Sequence, residues 1–130
     1  MRVLLLPVGD ETYAVELTAL RSVVGDPQVF LIPTAPPAVL GALNLRGEIV
    51  VLLDTARILG VGTLGALGFA AVVDHPYGTV ALAGEGRPQT ALLGQPVAAG
   101  DLHGAVGSFA VGSAVVTLVD PAVLVVPAAP

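Results

Sequence analysis

The sequence predicts an all-β fold made of many short strands. Apolar residues make up 55% of the 130-residue chain and charged residues only 12%, while Gly (16) and Pro (11) are both frequent. Glycine and proline divide such a chain into short elements and are poorly tolerated inside long helices. Short apolar segments separated by regular turn signals are typical of barrels and sandwiches. The length suits one domain that buries a core of its own.

The N-terminal segment predicts a β-hairpin. Residues 3–8 are an apolar run, Gly9-Asp10-Glu11 is a turn signal, and residues 12–17 alternate between two faces. This pattern indicates two antiparallel strands joined by a tight turn. Residues 19–24 fit either a strand or a helical turn, and Gly25-Asp26-Pro27 ends them.

The middle of the chain predicts a short helix on each side of a strand. After a β-type run at 29–32, Thr34 can cap a helix beginning at Pro36 or Pro37, since proline is well tolerated in a first helical turn. Residues 48–53 are rich in β-branched side chains and predict a strand. A second short helix is predicted to start at Asp54 or Thr55 and to end at Gly60.

The second half predicts more strands after a Gly-rich link at residues 60–68. The strand candidates, separated by turn signals, are residues 69–73, 79–83, 90–93, 109–111 and 114–119. Residues 98–104 predict a loop. Asp120-Pro121 opens a last short helix or turn through Leu124, and residues 127–130 form a tail.

Composition and charge argue against several classes of partner. The net charge is -5 and all five basic residues are Arg, so the chain neutralises a phosphate backbone poorly. It has no Trp and only five aromatic residues for stacking on bases. We therefore expect no nucleic-acid binding. The absence of Cys excludes disulfides and thiolate metal sites and fits a reducing compartment.

The long uncharged runs predict buried strands rather than membrane spans. They cover residues 27–45, 58–73 and 102–119, and Pro or Gly interrupts each of them. The apolar N-terminus is too short for a signal peptide, because Pro7 and then Asp10-Glu11 end it at once. We expect a cytoplasmic protein that is not inserted in a membrane.

A specific pattern occupies residues 32–54. Its parts, in order, are Ile32-Pro33, Ala35-Pro36, Val39, Gly41, Asn44-Leu45-Arg46-Gly47, Ile49-Val50 and Leu53-Asp54. Together with Val8-Gly9 and residues 13–17 upstream, this pattern resembles the signature of the CheW domain family. The resemblance covers essentially the whole chain and is strong over about residues 3–60. The second half matches by strand pattern, by residues 104–107 and by residues 115–120.

The resemblance implies a fold and a function. The fold is all-β, with two side-by-side five-stranded SH3-like barrels and a few short helices. Residues 1–130 would form a single CheW-like domain whose two barrel subdomains meet near 60–68. The implied function is that of a non-catalytic adaptor without cofactors, which couples chemoreceptors to the histidine kinase CheA in chemotaxis or related signalling. It would bind the regulatory domain of CheA and the cytoplasmic hairpin tip of the receptor, and would associate with membrane receptor arrays.

The resemblance also implies which residues bind partners, namely Leu20, Ser22, Val23, Asn44, Leu45, Arg46 and Gly47. Arg46 has two interpretations. It either anchors a partner or forms an intramolecular salt bridge, for example to Glu16 or Glu48. The family usually has a glutamate in the segment aligned with residues 20–23, where it can pair with this arginine. Here Ser22 stands in that position and Arg21 adds a second positive charge.

Two other classes of function remain as alternatives. The aliphatic interior and the groove between barrels would suit a small-molecule-binding barrel. An enzyme ranks third, because no acid, base and nucleophile set is recognisable. A metal site from Asp74, His75, Asp101 and His103 has suitable residue types but no ligand spacing. Residues 60–65 fit the spacing G-x-G-x-x-G, but no long helix follows, so this segment predicts a flexible link.

Overall fold

The computed structural model describes residues 1–76, 78–100 and 104–124, and strands dominate them. In chain order the elements are β1 (Arg2–Val8), β2 (Glu11–Glu16), a 3-10 turn (Leu17–Ala19), β3 (Leu20–Gly25), β4 (Val39–Leu45), β5 (Glu48–Leu53), α1 (Thr55–Leu59), β6 (Phe69–His75), β7 (Gly78–Gly84), β8 (Gln89–Leu92), β9 (Pro96–Ala99), β10 (Ala105–Val111), β11 (Ala114–Val119) and α2 (Pro121–Leu124).

The first sheet has six strands in the order β8-β1-β2-β11-β10-β9. The predicted N-terminal hairpin is confirmed, and Gly9 (φ +62°) lies in its turn. β2 and β11 pair in parallel, whereas the other neighbours are antiparallel. After β8 the chain crosses to β10, where Gly94 N–H donates to Ala110 O (2.7 Å) and Ala110 N–H donates to Gln95 O (2.9 Å). These bonds curl the sheet into a barrel.

The second sheet has five strands in the order β3-β6-β7-β5-β4, with β5 and β7 parallel. β3 and β4 are its two edges. They approach each other where the segment after β3 pairs with β4 at a single bridge. Phe30 N–H donates to Ala42 O (2.9 Å) and Ala42 N–H donates to Phe30 O (2.8 Å). The bridge closes the second barrel at this end and leaves a seam between β3 and β4.

Three apolar clusters show how the barrels sit together. One fills the first barrel around Val3, Ala14, Val116 and Leu118. Another fills the second barrel around Leu43, Val50, Leu52, Val72 and Ala81. The largest, which we name the central cluster, joins β1 and β2 to β6, β7 and α1, and includes Leu4, Leu6, Tyr13, Phe69, Val73, Leu82 and Leu59. β6 contributes to two clusters, so it is buried on both faces. The prediction of two side-by-side SH3-like barrels is therefore confirmed.

The structure differs from the sequence predictions in three elements. The helix predicted from Pro36 or Pro37 is wrong, because residues 39–45 form β4. A helix of one or two turns is marginal by itself, whereas pairing with β5 from Val39↔Leu53 to Leu45↔Glu48 satisfies the backbone of this segment. In the run 29–32 only Phe30 is paired. The loop predicted at 98–104 begins inside β9, which gives the first barrel six strands instead of five.

The Gly-rich link at 60–68 connects α1 to β6. The strands on either side of it, β5 and β6, both pair with β7 in the same sheet. The two sheets thus divide the chain into β3–β7 on one side and β1, β2 and β8–β11 on the other. The predicted tail at 127–130 lies outside the described residues.

Tyr13, which is buried in the central cluster, should make the protein less stable at alkaline pH. Burial, and then the negative charge of Glu11, raise the pKa of the Tyr13 phenol above its ordinary value of 10.0. The folded protein resists ionisation of Tyr13, so this contribution to stability is complete below pH 10.0 and is lost as pH rises towards the higher folded-state pKa. Urea unfolding at pH 8 and at about pH 11 should show a smaller alkaline loss for Tyr13→Phe than for wild type. Equal losses would contradict this role of Tyr13.

Candidate functional site

The segment Asn44-Leu45-Arg46-Gly47 forms the turn between β4 and β5. Arg46 (φ +52°) and Gly47 (φ +88°) are its two central residues. Positive φ at both positions defines a type I′ turn, which matches the twist of paired strands. The Asn44 side chain stabilises the turn, because its Oδ1 accepts a hydrogen bond from Gly47 N–H at 2.8 Å. The local geometry places Arg46 at the exposed tip of the hairpin.

A β-bulge in β3 positions Arg21 and Ser22, which form the second part of the site. Leu20 pairs with Val73 and Ser22 with Val72, so Arg21 has no opposite residue on β6. An extra residue in one strand reverses which face the following side chains take. Leu20 accordingly packs against the central cluster, whereas Val24 packs against the core of the second barrel. Arg21, at the bulge, is directed towards the neighbouring strands.

Arg21 forms a charged network across one end of the second sheet. Its Nη1 lies 2.9 Å from Glu48 Oε2 on β5 and donates to Thr79 Oγ1 on β7 at 2.9 Å. Asp74 Oδ1 on β6 is 3.8 Å from the same nitrogen and accepts from Thr79 Oγ1 at 3.1 Å. These side chains are partly exposed, so the network contributes little to stability. Its effect is to engage the Glu48 carboxylate.

Arg46 forms no ion pair within 4.0 Å among the residues that the structure describes. The interpretation that it pairs with Glu16 or Glu48 is therefore wrong. Arg21 binds Glu48 instead, because the bulge brings its guanidinium across the sheet. Sequence reasoning missed this pairing. Residues 19–24 fit either a strand or a helical turn, and their sequence carries no pattern that marks the bulge.

The structure brings some of the predicted partner-binding residues together. Ser22, Leu45 and Arg46 line one surface cavity of about 170 Å³ with Arg21 and Glu48. Asn44 and Leu45 line a second cavity of about 330 Å³, whose other lining residues are Val24, Pro27, Gln28, Phe30 and Leu43. Val23 is exposed on β3, while Leu20 turns inwards. Gly47 shapes the turn. Binding of partners by these seven residues stays a prediction.

Two carboxylates outside this surface have structural roles. Asp54, only 3% exposed, caps α1 by accepting from Arg57 N–H (3.3 Å), and it also accepts from Leu64 N–H (3.1 Å) in the link. The prediction that α1 starts at Asp54 or Thr55 and ends at Gly60 is confirmed, because the helix begins at Thr55 with Asp54 as its N-cap and Gly60 (φ +75°) follows its last residue. Glu85 Oε2 accepts from Gly9 N–H (2.9 Å) and from Gly65 N–H (3.1 Å). It thereby joins the β1–β2 turn to the link.

The candidate metal residues do not converge among the residues that the structure describes. Asp74 is exposed and belongs to the Arg21 network, whereas His75 beside it is buried. No group of three His, Asp or Glu side chains is placed to hold a metal ion within residues 1–76, 78–100 and 104–124. Asp101 and His103 lie outside these ranges. None of the described helices is long and apolar enough to cross a membrane.

The fold and this surface define a two-barrel β protein with an exposed arginine turn beside an open cavity. Comparison with known proteins agrees with this class. Residues 2–93 match the family model of the CheW-like domain, and the chain belongs to that family. A chemotaxis protein CheW from Rhizobium meliloti (strain 1021) is 37% identical over 54 residues, which are 42% of this chain and 35% of that protein. The match thus spans about a third of the relative's length.

A solved structure supports the fold over nearly the whole chain. The scaffolding protein TtCheW from Thermoanaerobacter tengcongensis superposes with a TM-score of 0.78. The superposition covers 95% of this chain and 90% of that one, at 17% sequence identity. At this identity the similarity establishes the arrangement of the barrels.

Proposed function

We propose that the chain is a non-catalytic adaptor that couples chemoreceptors to the histidine kinase CheA in chemotaxis or a related chemosensory pathway. Its partners are the regulatory domain of CheA and the cytoplasmic hairpin tip of the receptor, and it works in the cytoplasm at membrane receptor arrays. Membership of the CheW-like domain family supports this proposal.

The observation that carries the proposal is the arginine turn. Arg46 is exposed, has no ion partner among the described residues, and borders a cavity whose apolar lining residue is Leu45. Arginine is enriched among residues that dominate binding energy, because it combines a charge with a long apolar stem and a planar donor fork. The turn fixes the backbone at Arg46, so the ordering cost on binding falls on its side chain and is about 0.5–1.5 kcal/mol.

Binding of purified protein to two probes tests the proposal. The probes are the CheA regulatory domain and a receptor cytoplasmic fragment from the same organism, each measured by calorimetry. We expect the chain to bind both. Absence of binding to either probe would contradict the adaptor function.

Reversing the charge at the turn should weaken binding without unfolding the protein. Arg46→Glu keeps a side chain in the same positive-φ position, so we expect unchanged thermal unfolding. Affinity for at least one probe should fall by about 2 kcal/mol, or roughly thirtyfold, as for truncation of a central interface residue. Arg87→Glu is the matched control, because Arg87 is exposed and lines a different cavity. Unchanged affinity of Arg46→Glu for both probes would count against this role.

A small-molecule-binding barrel is the second candidate. The interiors of both barrels are occupied by aliphatic side chains, so a ligand would have to use a surface cavity. Mass spectrometry of the purified native protein distinguishes the two functions. A co-purifying ligand together with absence of partner binding would favour the small-molecule function.

A further inference from the structure

A cavity of about 600 Å³ lies between the β1–β2 hairpin and the segment formed by α1 and the Gly-rich link, and we name it the hairpin cavity. It shares no lining residue with the two cavities beside the arginine turn. Small-molecule sites in proteins usually have volumes of about 300–1,000 Å³ and combine apolar walls with a few polar groups. The hairpin cavity has the size for such a ligand, and its lining determines which chemistry fits.

Tyr13 supplies the observation that points to a ligand. Its side chain is only 2% exposed and packs in the central cluster, yet it also lines the hairpin cavity. The hydroxyl forms no hydrogen bond with another residue within 1–76, 78–100 and 104–124. A phenol that is buried to this extent normally has a hydrogen-bond partner. Because the oxygen is not sealed inside the core, a molecule bound in the cavity can supply that partner.

The strand register directs further polar groups to the same place. Glu11 lies two residues before Tyr13 on β2, so both side chains take the same face of the sheet. Thr117 on β11 pairs directly with Tyr13 and takes that face as well. Thr63, in the link, adds another hydroxyl to the lining. The cavity thus surrounds the buried phenol with oxygen atoms that accept hydrogen bonds.

The charge of the lining selects a cation. Asp10 and Glu11 both line the cavity, and among the described residues no basic side chain does. Neither carboxylate forms an ion pair within 4.0 Å in the described part of the chain. Burial, and then the charge of Glu11, raise the pKa of Tyr13, which places this charge within electrostatic reach of the phenol. In a chain of net charge -5, such a cavity attracts cations and repels anions.

The remaining wall of the cavity is apolar. Val8 and Ala56 are buried and contribute one surface of it, and the partly exposed Val61 extends this surface along the link. Aliphatic side chains cannot coordinate a metal ion, and the described residues contain no group of three His, Asp or Glu side chains placed to hold one. They can, however, cover the apolar part of an organic cation.

We propose that the hairpin cavity binds a small organic amine. Its ammonium group lies between the Glu11 carboxylate and the Tyr13 hydroxyl and donates a hydrogen bond to each. Its apolar part packs on Val8, Ala56 and Val61. The proposal is independent of the adaptor function, because the site contains no residue of the arginine turn. A bound amine contacts the hairpin of the first barrel as well as α1 and the link, so it stabilises the folded protein.

Titration with three ligands of equal chain length tests this proposal. Hexylamine, 1-hexanol and hexanoate share a six-carbon chain and differ in charge at neutral pH. Binding is followed by hydrogen–nitrogen correlation NMR of the full chain. We expect hexylamine to bind at least about tenfold more tightly than either of the others and to shift the amide signals of residues 9–13, 61–63 and 117. Absence of saturable hexylamine binding, or equal affinity for all three ligands, would overturn the proposal.

Two variants separate the contributions of charge and hydroxyl. Glu11→Gln should lower hexylamine affinity about tenfold, and Tyr13→Phe about threefold, because each removes one interaction with the ammonium group. Asp26→Asn is the matched control, since it removes an exposed carboxylate outside the cavity and should bind as wild type does. Without ligand, Tyr13→Phe should unfold at the wild-type temperature at neutral pH, because the phenol loses no partner. Wild-type affinity in either Glu11→Gln or Tyr13→Phe would overturn the proposal.

Discussion

Gly68→Ala should lower the free energy of unfolding by about 3 kcal/mol, the upper end of the usual cost of overpacking. A Cβ at residue 68 would overlap the carbonyl oxygen of Gly86 and lie 2.5 Å from its nitrogen. Both are backbone atoms, so no side chain can rotate away. Gly68 is also held on both sides, because its N–H donates to Gly84 O (2.8 Å) and its carbonyl accepts from Asp26 N–H (2.9 Å). The strain therefore has to spread into both segments.

Urea denaturation followed by far-UV circular dichroism measures this effect. Gly25→Ala is the matched control, since Gly25 lies in β3 and a Cβ there meets no atom within 4 Å. It should change the free energy of unfolding by less than about 1 kcal/mol. If Gly68→Ala were as stable as Gly25→Ala, the close approach of residues 68 and 86 would be contradicted.

Asp54→Ala should cost about 2–3 kcal/mol of stability, because one carboxylate performs two functions. Its Oδ1 caps α1, and both of its oxygens lie 3.1 Å from Leu64 N. Removal of the carboxylate loses the cap and leaves the partly buried amide of Leu64 without its acceptor. The first loss is worth about 1 kcal/mol and the second about 1–2 kcal/mol.

The variant Asp54→Asn separates these hydrogen bonds from the charge. Asparagine is as good an N-cap as aspartate and keeps one acceptor oxygen. We expect Asp54→Asn to retain most of the stability that Asp54→Ala loses in urea denaturation. Equal destabilisation by the two variants would show that the charge of Asp54, and not its hydrogen bonds, accounts for its contribution to stability.

Elements set by local chemistry were predictable from the sequence. The β1–β2 hairpin followed from its turn residues, and α1 followed from a capping Asp54 and a left-handed Gly60. Pairings between distant segments were not predictable in this way. The parallel contacts β2–β11 and β5–β7 depend on loop closure and shared cores, which leave no periodic signal. Local patterns alone did not distinguish barrels from a sandwich, and the two barrels were predicted from the resemblance to the CheW domain family.

In the candidate site too, local features were predictable and contacts between distant segments were not. The sequence indicated an arginine between two apolar runs, and the resemblance marked it as functional. Its electrostatic state depends on Arg21, which reaches Glu48 only because of the bulge opposite Val72 and Val73. A bulge has no reliable sequence signature, so the partner of Glu48 could not be predicted. The seam beside Leu45 was not predictable either, because it depends on the bridge between Phe30 and Ala42. Phe30 lies in a segment that otherwise has no regular structure.

Sedimentation velocity of a three-component mixture tests the adaptor function at its simplest. The mixture contains the chain, the CheA regulatory domain and a receptor cytoplasmic fragment. We expect one species that contains all three proteins, reduced in amount by Arg46→Glu and unaffected by Arg87→Glu. Sedimentation of the wild-type chain as a separate species, apart from both the kinase domain and the receptor fragment, would contradict the adaptor function.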